Sequence, residues 1–303
     1  MLVDKPPGVT SFDIVRYVRR WCKTRQVGHC GTLDPLATGL LPVAVGSATR
    51  LVEYLMADEK EYLATLALGA ATDTQDATGR ILATHPWHDV TPALLAAACQ
   101  AFTGTIEQIP PMYSALKRDG VPLYRLARQG VEVERAPRPV TISLIEIREF
   151  VPPLASIRVV CSKGTYIRTL VHDLGLQLGC GAHLTALRRL RCGAMTVAAG
   201  HTLTALRALA EAGEPLPLLS PAEALGSWPA VAVAEAAWSR LANGVAPLLS
   251  EVAGAVDMPK GTLVRLLADG RLAAIAGFAP GGEGGRPGDF ALHKVFPDAI
   301  VIA

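Results

Sequence analysis

"VGHCGTLDPLATGLLPV", residues 27–43, gathers one histidine, one cysteine, one aspartate and three glycines into seventeen positions flanked by apolar runs. Gly28, Gly31, Pro35, Gly39, Pro42 and Gly46 exclude a continuous helix here and predict a folded loop with short extended pieces. Three chemistries compete for such a loop. A zinc site needs a closed set of four ligands, and His29–Cys30 with Cys180, His183 and Cys192 completes none. A phosphate cradle needs G-x-G-x-x-G or G-x-x-x-x-G-K-[ST], and neither occurs. A thiol nucleophile at Cys30 needs a base, but neighbouring side chains on an extended chain point to opposite faces, which turns His29 away. The carboxylate of Asp34 is left. Pro35 keeps it out of helical geometry, and the glycines let the loop turn tightly and let another backbone approach. Taken alone, T-L-D-P reads as an aspartate closing a turn, so the neighbourhood decides.

Upstream, Thr10 and Ser11 can cap a helix with Phe12, Val15, Val18 and Cys22 on its apolar side and Arg16, Arg19, Arg20 and Lys23 largely opposite. Downstream, residues 61–68 alternate as a strand, with Tyr62, Ala64, Leu66 and Leu68 on one face. Thr91-Pro92 opens a helix that stops at Gly104. Residues 108–139 mix five prolines with six basic residues and predict a mobile basic insertion. A strand over 156–162 turns at Lys163-Gly164 into a helix capped by Thr165 and stopped by Gly175 or Gly179, which puts Arg168 near its N-terminus. Residues 203–225 read as a short helix plus linker. Beyond them V-A-V-A, T-L-V-R-L-L, A-A-I-A-G-F-A and F-A-L-H-K-V-F predict a small β domain.

At 303 residues, half of them apolar, the chain suits one large core and a smaller second domain. No run approaches the roughly 20 apolar residues of a membrane span, and the N-terminus lacks the pattern of a signal peptide, so a cytoplasmic protein is expected. The six cysteines form no C-x-x-C pair, as expected for reduced thiols. With a net charge of only +2, any basic surface is local. Candidate clusters are Arg16 to Arg25, Lys117 to Arg138, and Arg188, Arg189 and Arg191, each of which reads equally as a solvated helix face.

Five segments change the weight of the loop: "DKPPGVTS" (4–11), "VGHCGTLDPLATGLLPVAVGSATR" (27–50), "KEYLATLALGAATDTQDATG" (60–79), "QIPPMYSALKRDGVPLYRLARQG" (108–130) and "CSKGTYIRTLVHDLGLQLGCGAHLTALRRL" (161–190). In this order they resemble the TruB family of bacterial tRNA pseudouridine synthases, which modify uridine 55 of the T loop. The resemblance is collinear over about residues 3–200. It implies an α+β pseudouridine synthase fold, a mixed and mostly antiparallel sheet flanked by helices and loops. The catalytic domain would span 1–222, with 108–139 as a thumb-loop insertion, and a β-rich PUA-like RNA-binding domain would span 226–303.

The same resemblance assigns roles. Asp34 matches the catalytic aspartate, which acts either covalently on the sugar or base or by removing a sugar proton to give a glycal. Arg168 matches the arginine that orients it. Tyr62 matches the tyrosine that stacks on the target base and is a candidate to take the C5 proton. Tyr166 and Leu187 match pocket-lining positions, and Lys5 matches a basic residue near the site. His29 matches the histidine that fills the gap left by the flipped uridine, and Lys117 and Arg118 lie in the thumb. No cofactor or metal is implied, and tRNA is the expected partner of a monomer with no obligate protein partner. The sequence departs from the family at Cys30, where relatives carry Thr or Val. Two other readings are a tRNA-folding chaperone in which modification is secondary, and a guide-RNA-dependent synthase, against which "QIPPMYSALK" counts.

Overall fold

The computed structural model describes residues 1–56, 59–254, 257–282 and 288–299. The chain forms two compact units. One comprises Leu2–Val43 with Val52–Pro215, and the other comprises 216–303 with Met1 and Ala44–Leu51.

The first unit opens with β1 (Leu2–Lys5), α1 (Ser11–Trp21), β2 (Val27–His29), β3 (Thr38–Val45) and α2 (Val52–Leu55). Then come β4 (Lys60–Leu68), β5 (Ala70–Thr72), β6 (Ile81–Thr84), α3 (Pro92–Ala101) and β7 (Gly104–Gln108). The insertion holds β8 (Lys117–Arg118), β9 (Val121–Pro122) and α4 (Leu123–Arg128). β10 (Arg138–Val151), β11 (Leu154–Cys161), α5 (Ile167–Gln177) and β12 (Ala182–Cys192) follow, then β13 (Met195–Thr196), β14 (His201–Thr202) and α6 (Leu203–Ala212).

The main sheet runs β14-β1-β3-β12-β4-β11-β10-β7, with β2 beside β3 and β13 beside β12. The β1–β14 and β3–β12 pairs are parallel, whereas β1–β3, β12–β13, β12–β4, β4–β11, β11–β10 and β10–β7 are antiparallel, so the sheet is mixed and mostly antiparallel as expected. β4 follows the period-two reading closely, burying Tyr62, Ala64, Leu66 and Leu68 along with Lys60. α5 packs against β12, and Gly175 makes that possible, because a Cβ there would sit 2.0 Å from the Ala182 nitrogen. The helix therefore runs through Gly175, and the stop is Gly179 in the left-handed region at φ 74°.

Several expectations are corrected. In α1 the cap is Thr10, in a capping box with Asp13, but the buried face is Ser11, Ile14, Val15 and Val18 while Phe12 is 58% exposed. The cause is Ser11, whose hydroxyl is held inside by Leu33 and so fixes which way the helix faces. The second half of the quoted stretch is not loop but β3, buried from Gly39 through Ala44 between β1 and β12. Covering on both faces erases the alternation that would have marked it as a strand. Thr165 does not cap α5. Its hydroxyl donates to the Ser162 carbonyl, and Tyr166 occupies the cap position. The insertion is a small hairpin and a helix, with Gln108, Pro110, Pro111, Ser114 and Leu123 buried.

The second unit holds α7 (Pro221–Ala224), β15 (Ala230–Val233), α8 (Glu235–Ala242), β16 (Val252–Gly254), β17 (Leu263–Ala268), β18 (Arg271–Phe278) and β19 (Phe290–Val295). Its strands form a sheet in the order β16-β15-β17-β18-β19. Leu241 of α8 joins Val231, Val264, Leu266, Ala274 and Phe278 in the core. α8 was not anticipated from sequence. Its short E-A-A-W-S-R-L-A run makes too little apolar pattern to stand out. The sequence reading put a boundary near 222–226, whereas this unit takes in 216 onward and the segment 44–51.

Candidate active site

The loop between β2 and β3 is pinned along its length. The Cys30 amide donates to the Pro42 carbonyl, Ser11 both accepts from the Leu33 amide and donates to its carbonyl, and the Gly8 amide donates to the Pro35 carbonyl. Lys5 is fully buried, and its ammonium donates to the carbonyls of Pro6 at 2.9 Å, Val9 at 2.8 Å and Pro35 at 3.4 Å. These contacts fix the backbone on both sides of Asp34 without using its side chain.

Asp34 is thus free to point at Arg168, at the start of α5. Arg168 Nε lies 2.9 Å from Asp34 Oδ2 and Nη2 donates to Oδ1 at 3.3 Å, a two-pronged pair. The arginine side chain is 6% exposed and the aspartate 36%, so the cation sits inside and the carboxylate looks outward. Arg168 is itself held by the Thr74 and Tyr113 carbonyls, at 3.0 and 2.8 Å. Behind it lies a second carboxylate, Asp76, 3.8 Å from Nη1 and 7% exposed. Asp76 accepts from the hydroxyls of Thr74 and Thr78 and from the Thr78 amide. The arginine is therefore clamped between a buried carboxylate and a presented one.

β12 and β4 supply one wall. Leu187 and Arg189 of β12 stand opposite Ala64 and Tyr62 of β4, and all but Ala64 are large. Burial pushes the Tyr62 phenol up to about 12, with the Arg189 guanidinium beside it pulling the other way. Burial, and Arg189 after it, hold the His29 imidazole below its ordinary value, and its Nδ1 is buried without a partner. Tyr166 is set by Gln108, whose amide oxygen accepts from the Tyr166 N–H and whose nitrogen donates to the Tyr166 carbonyl. Burial raises the Tyr166 phenol as well. Among the described residues, no His, Cys, Asp and Glu side chains converge as a metal-ligand set.

Comparison with known proteins bears on what these residues do. Residues 19–167 match the model of the TruB family pseudouridylate synthase N-terminal domain, and 168–225 match that of the tRNA pseudouridylate synthase B C-terminal domain. The chain is 48% identical over 298 residues to tRNA pseudouridine synthase B of Syntrophotalea carbinolica, covering 98% of this chain and 97% of that one. It is 46% identical to the protein of that name from Geobacter sulfurreducens, covering 91% and 92%.

The chain belongs to the TruB family.

It is a tRNA pseudouridine synthase, an RNA uridine isomerase. Among solved structures it is similar to an H/ACA RNP bound to a substrate RNA containing 2'-deoxyuridine, at TM-score 0.74 and 26% identity over 99% of this chain and 86% of that one. A Cbf5-Nop10-Gar1 complex gives 0.74 and 28%, over 98% and 85%. These confirm the fold class. The TruB sequence relatives are the nearer in identity.

Of the residues singled out from sequence, the TruB fold brings Asp34, Arg168 and Lys5 together, and Tyr62, Leu187 and His29 share the Arg189 neighbourhood. Lys117 and Arg118 lie exposed on the β8–β9 hairpin, where Arg118 donates to the Glu134 carbonyl. Asp76 and Gln108 were not singled out, and Arg189 was named only within a basic cluster. Arg188, Arg189 and Arg191 are not a solvated helix face either. They lie on a strand, where Arg188 pairs with Asp4, Arg191 with Glu61, and Arg189 is 1% exposed.

Lys5 yields a pH prediction. Burial lowers its pKa from 10.5 to about 8, against the upward pull of Asp34. Between those values the unfolded chain binds a proton that the folded one has released, so this group's contribution to stability rises with pH across that window. The melting temperature of the parent minus that of Lys5→Met should increase from pH 8 to pH 10. A flat or falling difference would count against a buried ammonium.

Proposed function

We propose that Asp34 is the carboxylate that carries out the isomerisation, and that its target is uridine 55, flipped out of the T loop of tRNA. The observation that carries this reading is the two-pronged Arg168–Asp34 pair, which holds one carboxylate oriented and presented outward from a buried cation. In the reaction the N1–C1′ bond breaks, uracil turns over, the C5–C1′ bond forms, the C5 proton leaves to solvent and N1 takes up a proton in its place. A carboxylate can serve by adding covalently to sugar or base, or by drawing off a sugar proton and later returning it.

The remaining residues bind and orient. Tyr62, kept as a neutral phenol by its burial, offers a flat face for the uracil, with Leu187 and Tyr166 closing the pocket. His29 is held neutral, and its flat ring can take the place the uridine vacates in the stack. Lys117 and Arg118 on the insertion meet phosphates, a contact that adds salt-sensitive affinity without reading sequence. The enzyme acts as a cytoplasmic monomer with no obligate protein partner. No helix among the described residues is long and apolar enough to cross a membrane.

The test is tritium release from a tRNA transcript labelled at C5 of uridine, with the product mapped by fragment. Release should come from the T loop alone and vanish when the target uridine is replaced by cytidine. Equal release from the substituted transcript would refute the assignment of the target.

A further inference from the structure

Arg189 is the largest fully buried side chain among the described residues, yet none of the chemistry above uses it. Its place in the sheet is unusual. On β12 it stands opposite Gly39 of β3 on one side and Tyr62 of β4 on the other. Its Nε donates to the Leu40 carbonyl at 2.7 Å and its Nη2 to the Gly31 carbonyl at 3.1 Å. Gly31 and Leu40 are the two shoulders of the loop whose middle is Asp34. The strands come so close here that a Cβ on Gly39 would lie 2.3 Å from the Arg189 carbonyl oxygen, and Gly39 sits at φ 97°. The guanidinium lies beside the phenol of Tyr62, its cross-strand neighbour.

A strand interior does not require such a residue. A buried cation loses its hydration, and an apolar side chain of similar volume commonly serves stability as well or better. What an apolar side chain cannot do is tie two carbonyls at fixed angles while lying beside a phenol, as a planar fork with five donors can.

We propose that Arg189 is a positioning residue, closing the loop from Gly31 to Leu40 beneath Asp34 and holding the Tyr62 hydroxyl in register with it. This rests on the reading of Asp34 as the reacting carboxylate. It acts through backbone carbonyls and a phenol, not on the RNA. Asp34 is then located from two directions, Arg168 fixing its carboxylate and Arg189 the backbone on which it rides.

The experiment is single-turnover tritium release, with tRNA affinity and melting temperature measured alongside. The proteins are the parent, Arg189→Lys, Tyr62→Phe, the double variant and Asp34→Asn. Lysine keeps the charge but reaches one carbonyl where the fork reaches two and lies beside the phenol. The expected result is a single-turnover rate lower by about 10²-fold, the scale at which a misplacement near 1 Å is felt. The tRNA Kd should stay within about threefold, since the residue does not face the RNA. In the Tyr62→Phe background the same change should do less damage, because the hydroxyl it would have held is gone.

Should Arg189→Lys melt below the assay temperature, Arg189→Met carries no unpaired buried charge and is expected to show the same loss. Arg191→Lys, on the same strand but paired with Glu61, is the control and should keep the parent rate. A folded Arg189 variant at the parent rate, or losses that simply multiply in the double variant, would overturn the inference. If Asp34→Asn is silent while Arg189→Lys is fully active, this inference fails alone. If Asp34→Asn is active, the reading of the site fails with it.

Discussion

Asp34→Asn protein is expected to bind tRNA about as tightly as the parent and to release tritium at less than roughly 10⁻⁴ of its rate, the scale seen when an enzyme loses its reacting group. The substitution is isosteric. An asparagine oxygen can still accept from Arg168, but the amide nitrogen would meet the other guanidinium N–H as donor against donor, and the side chain can neither add to carbon nor take a proton. The fold should survive. The loop is held by Ser11, Lys5, Gly8 and Arg189 rather than by the carboxylate, and Arg168 keeps Asp76 and two carbonyls. One lost charged hydrogen bond at a part-exposed site is worth about 1.5–3 kcal/mol at most. Removing a negative charge from the surface that meets phosphates does not weaken binding. Measurable, T-loop-specific release by this variant would remove Asp34 from the mechanism.

Arg168→Met should be damaged twice over. Its loss leaves Asp76, 7% exposed, without its cation, and leaves the Thr74 and Tyr113 carbonyls short of a donor. Breaking a buried pair from one side costs about 3–5 kcal/mol, enough to lower the melting temperature plainly. Activity should fall by about 10³-fold, since Asp34 would lose the fork that orients it. The two effects separate in the double variant Arg168→Met with Asp76→Asn. Neutralising Asp76 removes the stranded charge while keeping an oxygen for the Thr78 amide, so thermal stability should partly return. Catalysis should not, because nothing then aims Asp34. If tritium release recovered in step with stability, Arg168 would be a structural residue only.

What could be seen in the sequence depended on whether local chemistry and tertiary packing agree. β4 alternates because one face is buried along its whole length, and α3 announces itself through Thr91 and Pro92, whose roles are local. The glycines and Pro35 marked a tight loop around Asp34 but fitted an aspartate that merely closes a turn, and both its role and its pairing with Arg168, far along the chain, came only through family resemblance. Asp76 was not singled out. T-D-T-Q-D-A-T-G reads as a polar turn, and its burial arises because Ala77 bonds across to Leu184 and Arg168 closes over it. Arg189 was hidden by geometry. β12 carries irregularities between Leu184 and Ala186 and between Arg189 and Arg191, so its buried positions fall at 182, 184, 187, 189 and 192 and keep no single period. Without that period an arginine run looks like surface.

The membership of residues 44–51 in the second compact unit has a consequence for how the chain is made. Within that unit Arg50 donates to the Val295 carbonyl and lies over the Phe296 ring, and its own carbonyl accepts from Lys294. On a ribosome this segment emerges some 245 residues before the Val295 it bonds. The first unit can gather as it is translated, with β3 already seated, yet the stretch leading out of that strand must wait for those distant partners. A chain cut short before residue 294 would therefore carry Arg50 and its carbonyl without the groups they bond.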